Sequence, residues 1–506
     1  MCLCCHRSGA ILPIVNKEIA PDGFTRPATL AWGTFPGPLI QGTKDAEFNI
    51  NVIDLLSDKS LDLATSIHWH GLFQKHTNYA DGPSFVTQCP LVPAESFLYD
   101  FKALDQAGTF WYHSHFRNQY CDGLRGALVI YDDNDPHKDL YDVDDEATVI
   151  TLADWYHIFN ERTSDTCVQF NSLNGKGHYP DGPLFYPSCY RFEMLHLISY
   201  RLRVVSISCD PSFFFSIDSH QLTVIEVDGI SVQPLLIDSL QIFVGQRYSV
   251  VLNADQPVDN YWIRSLPDAP GRNFSNLNNL AVLHYAGAPE AHPTVDPTVN
   301  IPTSKLPLVE TNLHPFTPSP VPGRPVPGGA DINITLNVVL DFSVGKFKVN
   351  GVSFDPPTVP VLLQILSGAK NASELLPAGS IYGLEANKSV ELTIPGGAIG
   401  GPHPVHLHGH AFHVVRSAGN SSYNFDDPVI RDVVSIGNTG DQVTIRFFTD
   451  NPGPWFFHCH IDWHLNAGFA IVFAEDVPTF RRRISRLMPG RNFALFNNFI
   501  NITGHT

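Results

Sequence analysis

Positive charge is scarce in this chain of 506 residues: 32 Lys and Arg stand against 50 Asp and Glu, a net charge of −18. A surface of that sign repels phosphate backbones, which argues against nucleic acid as a partner. Charged residues make up only 16% of the chain. Even so, no apolar run approaches the roughly 20 residues needed to cross a bilayer, so no membrane span and a soluble protein are expected. Methionine is rarer still: Met1, Met194 and Met488 are the only three, and none lies near the histidine-rich stretch "WFFHCHIDWHLNAGF" at 455–469. Long helical patterns are missing too, because 40 prolines and 37 glycines punctuate the sequence.

What remains is a succession of short alternating apolar runs bounded by turn signals. "GALVIYD" (126–132) closes a first set; "ATVITLADW", "RLRVVSI" and "LTVIEVDG" belong to a second; "SVELTI", "QVTIRFF" and "FAIVFAE" to a third. The expected fold is all-β, with three consecutive domains at 11–133, 134–302 and 303–480 and an atypical tail at 481–506. Proline-rich residues 286–330 read as a linker, and the basic island "FRRRISRLMPGR" (480–491) as a solvated, disordered tail. Sequons at Asn273, Asn333, Asn371, Asn387, Asn420 and Asn501 lean toward secretion, although the start "MCLCCHRSG" has no clear signal-peptide pattern.

Histidine pairs are abundant. His68 and His70, His113 and His115, His406 and His408, and His458 and His460 form four His-x-His pairs, two near each end of the chain. One such pair is weak evidence, but four together point to a shared metal centre. In a strand, residues i and i+2 project to one face, so each pair aims two imidazoles at one point. Imidazole suits copper, zinc, iron and nickel, and eight of them can hold several ions where one tetrahedral zinc site needs fewer. Cys459 lies between His458 and His460 and faces the other way on an extended strand. His403 and His464 are its candidate companions, giving the thiolate-plus-two-imidazole set of a blue-copper centre. With no methionine nearby in sequence, Phe469 takes the axial side without ligating, which raises the potential. One backbone joining both sites is wiring for electrons, for which zinc has no use.

From about Pro21 to Pro478 the chain resembles the blue multicopper oxidases, and among them the fungal laccases. The resemblance is carried by "SIHWHGLFQ" (66–74), "GTFWYHSHFRNQYCDGLRG" (108–126), "HPVHLHGHAFHVVRSAG" (403–419) and "NPGPWFFHCHIDWHLNAGFA" (451–470). It implies three cupredoxin-like Greek-key β-barrel domains and four copper ions. Type 1 copper would take His403, Cys459 and His464, with Phe469 axial; type 2, His68 and His406. One type 3 copper would take His70, His113 and His460, and the other His115, His408 and His458. The implied reaction is that of a benzenediol:oxygen oxidoreductase. Phenolic or aromatic amine donors are oxidised by one electron each, and O₂ is reduced to water at the trinuclear cluster. By position, Asp210 in "SCDP" would hydrogen-bond the donor and take its proton beside His464, and Asp81 in "ADGPS" would help supply protons to the cluster. A secreted monomer is implied.

The resemblance also implies a pairing of Cys121 with Cys209. It leaves Cys89 without its usual partner, since no cysteine follows Cys459. Cys167 and Cys189 are extra and are candidates for pairing with each other. His410 and His413 sit in the third motif without an assigned copper, and packing explains them. A ferroxidase-like multicopper oxidase and a copper-binding electron carrier without turnover are the competing readings. The first needs carboxylates beside the type 1 histidines, and the second has no use for eight cluster histidines.

Overall fold

The computed structural model describes residues 2–4, 10–157, 169–176, 190–268, 280–297, 301–369 and 371–487. Cys167, Cys189, Asn273 and Asn501 lie outside the described residues.

Short alternating runs build strands because every second side chain can be buried. In Glu47–Asp54 the residues Phe48, Ile50 and Val52 are buried while those between them are only half-buried. Such strands assemble into three successive sandwiches. The first packs a four-stranded sheet on a five-stranded one, around a core that includes Leu12, Phe48, Ile50, Trp69 and Leu128. The second packs a six-stranded sheet, which contains Val149–Tyr156 and Arg247–Asn253, on a five-stranded sheet that contains Asn260–Asp268. The third packs two five-stranded sheets, one of them ordered Ile381–Leu384, Ala470–Glu475, Gly453–Cys459, Pro404–Leu407 and Val433–Ser435. The architecture is the all-β, cupredoxin-like one expected from the sequence.

Two expectations need correction. The proline-rich stretch is a strap along the second and third sandwiches. Leu308 N–H donates to Ser239 O and Phe316 N–H to Ser231 O, both at 2.8–2.9 Å, and Leu313 is buried. Farther on, Arg446 gathers the carbonyls of Pro322, Arg324 and Val326. Proline removes donors but leaves carbonyls, and these find partners on the sheets. The basic island, in turn, begins in a helix, Val477–Leu487. Val477 and Phe480 are buried in a cluster with Val361 and Ile365, and Arg481 Nη1 lies 3.4 Å from Gly368 O. The charges mask apolar residues at helical spacing in the sequence, of which Val477 and Phe480 are the buried ones among the described side chains.

The sandwiches are tied across their boundaries. Cys121 and Cys209 form a disulfide between the first and second, and Cys89 is free. Arg247, fully buried in the second, donates to Thr109 O of the first at 3.0 Å. It also forms two bonds with the Asp432 carboxylate of the third, at 2.6 and 2.7 Å.

Candidate metal centre

The four histidine pairs come together where the first and third sandwiches meet. Strand Ile67–His70 carries one pair and lies beside Gly108–Ser114, with His68 opposite His113. Strand Pro404–Leu407 lies beside Gly453–Cys459, with His406 opposite His458 and Val405 opposite Cys459. All eight imidazoles are buried. Alternation decides what each strand shows: His68 and His70 face the junction while Trp69 enters the core behind them, and Cys459 likewise points away from His458 and His460.

Ligand nitrogens gather within 4.8 Å of one another in the sets His68, His70 and His406; His70, His113 and His460; and His115, His408 and His458. A separate set of His403, Cys459 and His464 meets the same criterion. There, Cys459 Sγ lies 3.5 Å from His403 Nδ1 and 3.7 Å from His464 Nδ1. Phe469 is buried against His403, with ring centroids 5.2 Å apart.

Backbone and carboxylate groups set the tautomers. His68 Nδ1 lies 2.7 Å from Asp81 O, His113 Nδ1 2.8 Å from Ser114 O, and His406 Nδ1 2.9 Å from Asp432 O. His458 Nδ1 lies 2.8 Å from Cys459 O, and His408 Nδ1 2.8 Å from Asp81 Oδ2. Each Nδ1–H is thus consumed, leaving the Nε2 lone pair to face the junction. The Nε2 atoms of His68, His113, His115 and His406 are buried with no hydrogen-bond partner. Buried polar atoms are rarely left orphaned, and a ring of bare imidazole nitrogens fits metal ions. Burial, reinforced by neighbouring imidazoles, pushes His70, His113, His115, His406, His408 and His460 well below the ordinary histidine value. Burial takes His458 down to about 3 and His403 to about 4. The rings are neutral and able to ligate at neutral pH. Burial raises the Cys459 thiol, so a metal is what draws its proton off. Imidazoles joined to a single thiolate are a donor set for copper.

Asp81 is fully buried between His68 and His408, as the sequence placed it. Asp210 is buried at the wall of a cavity of about 650 Å³ that Pro211, Phe243, Gly400, Pro402 and Ile461 also line. Gly400, which lines that cavity, also packs against the half-buried His464: a Cβ on it would stand 2.9 Å from His464 Nε2. Asp268 and Asp441 line the same cavity, carboxylates that the linear sequence did not associate with His464. His410 and His413 are in none of the convergent sets among the described residues.

Sequence reading also missed three residues around the cluster. Asp432 Oδ1 lies 3.3 Å from His70 Nε2, and its own backbone carbonyl orients His406. Arg247 holds that carboxylate in place. Gly245 of the second sandwich has φ +84°, and a Cβ there would stand 3.0 Å from His70 Cε1. No motif in "VGQR" or "IRDVVS" announces a neighbour almost two hundred residues away.

Models of the multicopper oxidase family match residues 14–135, 146–288 and 354–479. A laccase of Trametes versicolor is 56% identical over 474 residues, covering 92% of this chain and 90% of its own length. A laccase of Phlebia radiata is 56% identical over 467 residues, covering 92% and 89%. Among solved structures, Fet3p, a multicopper oxidase that functions in iron import, superposes with a TM-score of 0.81 at 27% identity, covering 97% of this chain and 94% of that one. The laccase of Botrytis aclada superposes with a TM-score of 0.77 at 29% identity, covering 95% and 92%. With its three matched segments, its histidine junction and these relatives, the chain belongs to the multicopper oxidases and, within them, to the fungal laccases.

Proposed function

We propose that the laccase reaction of this chain is divided between two ligand sets joined by one strand. His403, Cys459 and His464 would hold type 1 copper, with Phe469 packed beside them without ligating. His68 and His406 would hold type 2 copper. His70, His113 and His460 would hold one type 3 copper, and His115, His408 and His458 the other. Bound copper supplies one-electron exchange with the donor and the redox capacity to reduce O₂. Everything else falls to the protein.

The cavity beside Gly400 seats a phenol or aromatic amine against the His464 imidazole edge. Asp210 accepts the phenolic proton as the electron leaves, which avoids a high-energy radical cation. Between the two sets the path is covalent: the Cys459 side chain continues through its own backbone into His458 and His460. Four donors together release four electrons and four protons, and with one O₂ these make two waters. Asp81, in contact with both His68 and His408, orients those rings and stands where protons are needed. The single observation that carries this reading is the alternation at 458–460, which turns the sulfur to one site and two imidazoles to the other.

Carrying the reaction to this chain rests on 56% identity to laccases over 92% of the chain. We assign the domains to 11–133, 134–302 and 303–480, with 481–506 as tail. We also infer secretion as a monomer, on the sequons at Asn333, Asn371 and Asn387, all exposed on the surface. The test is to load the expressed chain with copper and follow O₂ uptake with a phenol. The expected outcome is a blue protein that consumes one O₂ for four donor electrons without releasing peroxide. Faster turnover with Fe(II) than with any phenol would overturn the donor assignment, and light scattering of the glycosylated, secreted protein tests the monomer.

A further inference from the structure

Asn451 precedes the strand Gly453–Cys459, is 1% exposed, and belongs to none of the ligand sets. Its side-chain amide donates to two carbonyls, Phe73 O at 2.7 Å and Gly409 O at 3.0 Å. Phe73 lies three residues after His70, and Gly409 directly follows His408. One amide group therefore joins the turn leaving a first-sandwich ligand strand to the turn leaving a third-sandwich one. The residue is itself held fast. Its backbone N–H reaches Glu475 Oε1 at 2.6 Å, and its carbonyl accepts Trp455 Nε1–H. Glu475 Oε2 lies 3.0 Å from His410 Nε2, and His410 Nδ1 lies 3.2 Å from His408 O. Gly409, at φ +73°, has no room for a side chain, because a Cβ would stand 2.5 Å from the Trp455 ring.

We propose that Asn451 is a positioning residue of the trinuclear site, fixing the separation between the first- and third-sandwich histidines, with Glu475 and His410 as its supports. Protein–protein packing alone leaves such a seam free to relax by fractions of an ångström, and metal ligation does not tolerate that slack. A hydrogen bond to each side converts the seam into a fixed distance. Removing it leaves the buried Gly409 carbonyl and the half-buried Phe73 carbonyl without this donor, and they relieve this by moving apart or by admitting water. It also gives a use to His410, which carries no copper in the assignment. The inference rests on that assignment of the eight histidines.

The plain alternative is a core amide that contributes stability and nothing else. Asn260 supplies the control: it is buried, and its amide joins Pro289 O and Ala291 O, both at 2.8 Å, within the second sandwich. Asn451→Ala, Asn451→Gln and Asn260→Ala are each expressed with copper. Copper content, the near-ultraviolet band of the coupled copper pair, the blue band and the anaerobic rate of donor oxidation are then measured. The expected result is that both Asn451 variants lose copper from the trinuclear set with roughly tenfold or more weakened retention, together with the near-ultraviolet band and O₂ turnover. Their blue band and anaerobic donor oxidation persist, and Asn260→Ala keeps all four signals at a lower Tm. Asn451→Gln, which retains the amide one methylene displaced, keeps the test valid if the alanine variant fails to fold. Retention of trinuclear copper and its band in both foldable variants overturns the proposal, as does parallel loss of blue and near-ultraviolet bands. A wild-type protein that binds no copper would instead strike down the ligand assignment itself.

Discussion

At the scale of single residues, the site separates tasks that one atom cannot combine. Cys459 is held as a thiol by burial and becomes a ligand only against a metal. Cys459→Ser should therefore abolish the blue colour and donor oxidation while leaving the histidine junction able to bind copper, checked by absorbance and metal analysis. Asp210 is assigned, in the proposed reading, to the donor alone. Asp210→Asn should lower kcat/KM for phenols by roughly ten- to a hundredfold and leave a donor that has no proton to lose nearly unchanged; equal losses would remove its role. The convergence of the histidine pairs was legible in the sequence because two-residue spacing maps directly onto one strand face. Asp432, Arg247 and Gly245 were not, because their meaning lies in contacts between sandwiches, and nothing local to each residue records them.

At the scale of elements, strands were legible where short apolar runs met turn signals, as in "GALVIYD", whose residues 126–131 fall in the strand Arg125–Tyr131. The helix Val477–Leu487 was missed because its arginines drew attention from a stripe that repeats every three or four residues. Phe480→Ala should cost about 3 kcal/mol, read as a lower unfolding midpoint with the blue band intact. Had the segment been a solvated tail, the substitution would change nothing. The end of Glu47–Asp54 offers a pH test. Burial raises the Asp54 carboxyl from 3.8 to about 6, while one oxygen accepts Leu56 N–H. The folded protein thus holds a proton that the unfolded chain releases. The stability this gives is complete below the unfolded value and is lost as pH rises through about 6. Asp54→Asn keeps an oxygen for Leu56 and carries no charge. It should raise stability by about 1 kcal/mol near neutral pH and by nothing measurable at the acid end, compared by thermal melts at both.

At the scale of the whole molecule, the first and third sandwiches share a metal centre and the second clamps the seam through Arg247 and the Cys121–Cys209 bond. Ions that bind the folded state and not the unfolded one stabilise by mass action. Stripping copper with a chelator should lower the melting temperature and loosen the first and third sandwiches most, which hydrogen exchange would resolve; reloading should reverse both. Uniform loosening would mean that the ions do not bridge the seam. The three-part architecture was legible from strand spacing and turn residues, whereas the strap at 301–330 was not, since proline-rich composition reads as a linker whether or not its carbonyls find partners.

Because two of the four converging histidine pairs lie at His68 to His115 and the other two at His406 to His460, the ribosome delivers them far apart in time. A nascent chain displays an open, half-built cradle of imidazoles until the final strands dock. On the proposed ligand assignment, the complete site exists only once the final strands have docked, so copper added to the refolded chain should fill it as well as copper present throughout synthesis.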